Sequence, residues 1–82
     1  MRIVGPYIKN TNIYDGYIRP RLFDNGFHGI WKDDKGVWKA ATIHNKVFTS
    51  KIAAMAALDE LLIKEGWTIV DHEKFEAMKV LM

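Results

Sequence analysis

The chain has 82 residues, of which 49% are hydrophobic and 27% are charged, and its formal net charge is +2. This length and composition indicate one globular domain and exclude a disordered chain. The sequence contains no cysteine and a single serine, Ser50. These counts exclude disulfides, thiol chemistry and cysteine-based metal sites, and they leave little room for serine-based acyl transfer.

The apolar segments of the chain are short. No apolar stretch follows the first six residues, so the start of the chain does not resemble a secretory signal. The longest apolar run, residues 52–58, is far shorter than the roughly 20 residues of a membrane-spanning helix. We therefore expect a soluble, cytoplasmic protein with no membrane partner.

Positive charge is concentrated in the first part of the chain. Residues 1–50 carry eight Lys or Arg and four acids, whereas residues 51–82 carry four Lys and six acids. A basic surface beside an acidic one attracts polyanions such as nucleic acid. The alternative interpretation is that both parts are simply solvated surfaces.

Residues 1–26 predict an irregular or extended N-terminal segment. Turn-forming sequences occur at residues 10–12, 15–16 and 24–26. Short extended stretches are predicted at residues 3–4 and 17–19. Because proline cannot donate a backbone hydrogen bond, Pro6 and Pro20 are expected to confine these stretches to sheet edges or irregular segments.

Residues 27–48 predict a three-stranded antiparallel meander. The predicted strands are residues 27–31, 37–44 and 46–48, with turns at residues 32–36 and at Asn45. Alternation places Phe27 and Trp31 on one face and His28 and Ile30 on the other. A face that presents Trp31 or Trp38 is expected to be either core against a helix or a binding surface.

Residues 50–65 predict one long helix. Thr49 or Ser50 can cap its N-terminus, and Gly66 suits its C-terminal end. Apolar residues recur at helical spacing and predict a stripe that faces the core. The members of this stripe are Ala54, Met55, Leu58, Leu61 and Leu62.

The tail, residues 67–82, predicts an extended stretch followed by a short helix. Asp71 can cap this helix, which carries Phe75 and Met78 on one face. A helix this short is not stable alone. We therefore expect the tail either to dock on the helix of residues 50–65 or to form a homodimer contact.

Three segments of the chain resemble the AP2-type DNA-binding domain. They are Phe27-His28-Gly29-Ile30, the stretch from Lys35 to Ala40 with its Gly-x-Trp-x-Ala pattern, and the Ala-rich helix around residues 54–60 with Ile63-Lys64 after it. The resemblance spans residues 27–66, about half the chain. It implies a three-stranded antiparallel sheet on one helix that binds duplex DNA, as in plant transcription factors and in phage or mobile-element proteins.

The resemblance also indicates where DNA contacts are expected. Trp38 and Lys39 match the family pattern. At the positions of the arginines with which the family reads DNA, this sequence has His28, Trp31 and Asp33.

The candidate nucleic-acid-binding residues are basic and aromatic side chains between residues 19 and 46. Lys and Arg neutralise phosphates, and Trp can pack against sugar or base. The set is Arg19, Arg21, His28, Trp31, Lys32, Lys35, Trp38, Lys39 and Lys46. The alternative is that these side chains form a solubilising rim around a helix-packed core.

No catalytic or metal-binding pattern is recognisable in the sequence. The three histidines lack the spacing of metal ligands, and turn chemistry explains Asp24, Asp33 and Asp34 better than an ion site does. A nucleophile with its base and orienting group is not visible. We therefore predict a protein that is not an enzyme and uses no cofactor.

The sequence thus predicts a single α+β domain over residues 1–82. Its centre, residues 27–66, is expected to be a small three-stranded antiparallel sheet packed on one long helix, followed by a short C-terminal helix. The leading functional hypothesis is a nucleic-acid-binding module that sits on duplex DNA through its sheet. The alternative is a phage-type protein-interaction module, an inhibitor or adaptor of a larger complex such as a host defence nuclease.

Overall fold

The computed structural model describes residues 2–10 and 15–81. Part of the turn predicted at residues 10–12, and the last residue of the tail, lie outside these ranges. The strands of the described chain are Ile3–Val4 (β1), Ile8–Asn10 (β2), Gly16–Pro20 (β3), Phe27–Lys32 (β4), Trp38–Ala40 (β5), Ile43–Phe48 (β6) and Thr68–Ile69 (β7). The helices are Lys51–Lys64 (α1) and His72–Val80 (α2). Neither helix is long and apolar enough to cross a membrane.

The strands form a five-stranded antiparallel sheet and a separate two-stranded parallel sheet. The order in the larger sheet is β2-β3-β4-β5-β6, and β1 pairs with β7. The α+β class agrees with the sequence prediction, but the predicted three-stranded sheet is wrong. The additional strands β2 and β3 lie within residues 1–26, the segment for which the sequence predicts irregular or extended structure.

Pro20 does not confine its strand to a sheet edge. It is the last residue of β3, where a missing N–H ends the ladder without interrupting it. Because β3 pairs with β2 on one side and β4 on the other, it is an interior strand. The carbonyl of Pro20 accepts a 2.9 Å hydrogen bond from the Gly5 N–H.

The hairpin between β5 and β6 lies earlier in the chain than predicted. The strand predicted over residues 37–44 is interrupted at residues 41–42, and Ala40 pairs with Ile43. The Ala41 N–H donates to the Gly29 carbonyl at 2.9 Å, which holds the turn against β4. The pairing then shifts, so that Trp38 lies opposite Phe48.

Helix α1 covers one face of the larger sheet, as the apolar stripe predicted. Ser50 caps it by accepting a 3.1 Å hydrogen bond from the Ala53 N–H, and Gly66 follows it with a left-handed φ of +88°. The main core contains the buried residues Val4, Ile30, Ala40, Phe48, Ala54, Leu58 and Leu62.

Helix α2 docks on the N-terminal segment rather than on α1. Phe75 packs in a second cluster with Ile3, Leu22 and Val70. A Cβ atom at Gly5 would lie 2.8 Å from Cδ1 of Phe75, so the ring packs directly on the backbone there. Hydrophobic burial thus ties the tail to β1, which neither alternative for the tail anticipated.

The opposite side of the sheet, the outer face, is not covered by α1. Strand register places Ile8, Ile18 and Gly29 in one row and Gly16, Trp31 and Lys39 in the next. Phe27 and Ala41 complete this face, since Phe27 alternates with His28 and Ala41 bonds to Gly29. The faces predicted for Phe27, His28, Ile30 and Trp31 are therefore confirmed.

Candidate nucleic-acid interface

The nine predicted contact residues are distributed over several parts of the molecule. Arg19 and His28 are buried, whereas Lys32, Lys35 and Lys46 are exposed. The remaining four are partly buried: Arg21, Trp31, Trp38 and Lys39. The separation follows from strand alternation, which sends neighbouring side chains to opposite faces.

Arg19 belongs to a buried polar network beneath α1. Its Nε and Nη2 atoms donate to the two carboxylate oxygens of Asp59 at 2.8 and 3.1 Å, and Nη1 donates to the Gly5 carbonyl at 2.8 Å. The Tyr7 hydroxyl donates to the same carboxylate at 2.8 Å. The centroid of the Tyr7 ring lies 4.0 Å from the guanidinium carbon of Arg19. Each guanidinium nitrogen of Arg19 therefore donates to an intramolecular partner.

The titration of this network reflects its burial. Burial by itself lowers the pKa of Arg19, but the hydrogen bonds and negative charge of Asp59 outweigh it and raise the pKa above its ordinary value. Burial and the hydrogen bond to Asp59 also raise the pKa of the Tyr7 hydroxyl. Tyr7 therefore stays neutral and Arg19 stays charged throughout the physiological pH range.

Arg21 and His28 form a second cluster around Trp67. The Arg21 Nε donates to the His28 Nε2 at 3.0 Å. The guanidinium carbons of Arg2 and Arg21 lie 4.5 and 4.9 Å from the Trp67 ring centroid, and the His28 ring meets Trp67 edge-on at 4.9 Å. Trp67 thus bridges the core and a pair of surface arginines.

His28 must be neutral to accept the hydrogen bond from Arg21. Burial is the main cause that lowers the pKa of His28, and the positive charges of Arg21 and Arg2 lower it further against the opposing effect of Glu65. A phosphate contact by protonated His28 would require this arrangement to open.

We expect the stability of the protein to depend on His28 below about pH 6.5, the ordinary pKa of histidine. In this range His28 binds a proton in the unfolded chain but stays neutral in the native protein. The free energy of unfolding therefore falls as the pH falls. The decline ends once the pH is below the native pKa of His28, where both states are protonated. Urea unfolding at pH values between 8 and 5 measures this decline in the free energy of unfolding.

The control for this titration is His72→Gln, which changes an exposed histidine at the start of α2. His28→Gln is expected to make the free energy of unfolding depend less steeply on pH, and comparison with His72→Gln tests whether the effect is specific to the buried histidine. An equal slope in wild type and His28→Gln would contradict the assignment.

Lys39 and Trp31 lie side by side on the outer face, next to the turn that contains Lys35. The Lys39 Nζ is 3.4 Å from the Asp33 carboxylate. Asp33 also accepts backbone hydrogen bonds from Lys35 and Val37 at 2.9 and 3.1 Å. Desolvation acts to raise the pKa of Asp33, but these donors and Lys39 hold the pKa below its usual value. The charge of Lys39 is therefore balanced locally.

Lys46 lies at the sheet edge formed by β6. Its Nζ is 5.6 Å from the Phe48 ring centroid. Together with Trp31, Lys39 and His44 it lines a depression of about 490 Å³. Three of the predicted contact residues are thus brought together here.

Lys32 and Trp38 line a cleft that the sequence did not predict. This lysine cleft has a volume of about 260 Å³ and is formed by Lys9, Asp15, Gly16, Tyr17, Lys32, Trp38 and Lys51. Its lining includes three lysines and one aspartate. Among the described residues, none of the three lysines forms an ion pair.

Three elements place these lysines together. Lys9 lies opposite Tyr17 in the β2–β3 pair, and Lys32 is the last residue of β4. Lys51 is the first residue of α1, and its Nζ lies 4.6 Å from the Tyr17 ring centroid. The excess of Lys and Arg in residues 1–50 includes Lys9 and Lys32 but not Lys51. The sequence therefore did not indicate that these three lysines, far apart along the chain, would meet.

The aspartates considered as an ion site act instead as turn residues. Asp24 accepts a 2.6 Å hydrogen bond from the Gly26 N–H, and Asp33 has the backbone contacts given above. Within residues 2–10 and 15–81, no group of three or more His, Asp or Glu side chains could hold a metal ion.

The chain matches no protein-family model, no curated protein and no solved structure. The AP2-like interpretation of residues 27–66 therefore stays a prediction from their sequence.

Proposed function

We propose that the protein is a small, non-enzymatic nucleic-acid-binding module that contacts backbone phosphates through the lysine cleft. The observation that carries the proposal is the convergence of Lys9, Lys32 and Lys51 around one concave site with a single carboxylate, Asp15. A nucleic-acid backbone is a dense polyanion of the kind that such a site attracts.

The charge of the cleft favours an anionic ligand. The three lysines lack ion-pair partners within the described chain, so they are available to displace counterions from a phosphate backbone. The N-terminus of α1, at Lys51, adds the positive end of the helix dipole. Both contributions weaken as salt increases.

The walls of the cleft favour a ligand that also has flat, apolar parts. Tyr17 and Trp38 line it beside the lysines. Aromatic side chains pack against sugar or base, whereas a simple anion would not use them. Lysine–phosphate contacts carry no sequence information, so we expect binding to duplex DNA with little base preference.

The test is a salt series of binding titrations with a short fluorescent DNA duplex. We expect the affinity to fall steeply as the salt concentration rises. The slope of log affinity against log salt concentration is expected to flatten by about three units, roughly one for each lost phosphate contact, in the triple variant Lys9→Ala, Lys32→Ala, Lys51→Ala. The matched control removes three exposed lysines elsewhere: Lys64, Lys74 and Lys79.

Two outcomes would contradict the proposal. Protein at micromolar concentration that shifts no duplex at low salt rules out the function itself. Binding that is insensitive to the cleft variant, but weakened by Lys35→Ala with Lys39→Ala, assigns the interaction to the outer face and its turn instead.

A second candidate function is protein interaction, as an inhibitor or adaptor. The outer face favours it, because Ile8 and Phe27 are 48% and 54% exposed there. Ile18 of the intervening strand β3 lies on the same face. An apolar patch of this kind is typical of surfaces that bind other proteins.

A further inference from the structure

The outer face differs from the usual solvent face of an antiparallel sheet. Such sheets commonly present polar side chains to water. Here the exposed Ile8 and Phe27 adjoin an open groove of about 390 Å³. The groove is lined by Asn10, Ile18, Phe27, Gly29, Ile30, Trp31 and Ala41.

We propose that the outer face is the contact surface of a two-fold symmetric homodimer. In this dimer the two five-stranded sheets pack face to face, and Phe27 of each copy enters the groove of the other. This inference goes beyond nucleic-acid binding and does not depend on it, because the outer face and the lysine cleft use different surfaces.

The shape of the face suits a second copy. A two-fold interface places the same patch on both partners, so each projection must meet a recess of the same surface. Phe27 projects beside the groove, whose floor is formed at Gly29, between Phe27 and Trp31, with the Ile18 side chain packed against it. The face therefore supplies both the projection and its recess.

The charge of the face also suits a second copy. Among the described residues of β2 to β5, Lys39 is the only charged residue that the register places on this face, and its Nζ lies 3.4 Å from Asp33. Lys46 lies at the β6 edge of the face, so the strands β2 to β5 of two identical faces meet without like-charge repulsion. A nucleic acid or an anionic membrane would instead require unpaired cations.

The area of the face predicts a weak dimer. Five strands about 4.8 Å apart, with a longest span of about six residues at roughly 3.4 Å each, cover at most about 500 Å² per copy. Two copies therefore bury at most about 1,000 Å², which is the lower limit for a biological interface. We expect reversible dimerisation that becomes visible as the protein concentration rises.

Sedimentation equilibrium from micromolar to millimolar protein tests the proposal. The wild type is expected to dimerise, and Phe27→Asp is expected to weaken dimerisation by more than about tenfold, because a buried unpaired carboxylate is costly. Leu81→Asp is the matched control, since Leu81 is 86% exposed and lies in the tail. Circular dichroism checks that each variant is folded.

A second variant, Ile8→Lys, keeps the proposal testable if Phe27→Asp does not fold. Ile8 lies on the outer face at the β2 edge and is 48% exposed. A wild-type protein that stays monomeric at millimolar concentration overturns the proposal. The outer face would then be assigned to binding a different protein. The proposal is also overturned if folded Phe27→Asp or Ile8→Lys still dimerises like the wild type. It is equally overturned if only Leu81→Asp loses the dimer, because that result would assign dimerisation to the tail.

Discussion

Asp59→Ala is expected to lower the free energy of unfolding by about 3–5 kcal/mol, the usual effect of leaving a buried charge without its partner. Arg19 is 9% exposed, and Asp59 accepts hydrogen bonds from its Nε and Nη2. The same change removes the nearer acceptor of the Tyr7 hydroxyl and leaves it the Met55 carbonyl at 3.3 Å. Urea unfolding at neutral pH measures the loss.

The double variant Asp59→Ala with Arg19→Met separates the ion pair from simple packing. Removing both charges avoids the unpaired guanidinium, so the double variant is expected to be more stable than Asp59→Ala alone. Glu60→Ala, an exposed acid next along α1, is the control and is expected to change stability by less than about 0.5 kcal/mol. An Asp59→Ala protein as stable as the Glu60→Ala control would contradict the role of the network.

Leu58→Ala is expected to lower the free energy of unfolding by about 2–5 kcal/mol, because it removes buried side-chain volume and leaves a cavity. Leu58 is fully buried in the main core, with Ile30 and Leu62 among the same cluster. Total stability of small domains is only about 5–15 kcal/mol. The variant is therefore expected to melt at a much lower temperature, as measured by circular dichroism.

The control for the core change is Ile52→Ala on the same helix. Ile52 is 75% exposed, so its truncation removes little buried surface. A similar loss of stability in both variants would mean that the assigned buried face of α1 is wrong. Leu62→Ala is expected to behave like Leu58→Ala, since Leu62 is 1% exposed.

Local patterns predicted the helices and the faces of β4 correctly. The spacing of Ala54, Leu58 and Leu62 specifies which side of α1 faces the core, and the cap at Ser50 involves a neighbour three residues away. Alternation likewise separates Phe27 from His28. These features depend on residues within one or two turns or strand repeats of each other.

The candidate site was predicted less well. Arg19 is a basic residue in a basic segment, and nothing in its neighbourhood indicates burial beside Asp59, forty residues further along the chain. Lys9 and Lys51 lie outside residues 19–46, which contain all of the predicted contact residues. Only the charge balance of residues 1–50 pointed to a basic surface.

The sequence by itself determined the α+β class, the extent and capping of α1, the short capped helix α2 and the two faces of β4. Tertiary structure decided the number of strands, the position of the β5–β6 turn, the docking of α2 on β1 and the burial of Arg19. It also placed Lys9, Lys32 and Lys51 around one cleft. The physical reason is that strand pairing and helix docking are chosen by surfaces that meet across long separations in the chain, whereas caps, turns and periodicity are encoded by neighbouring residues.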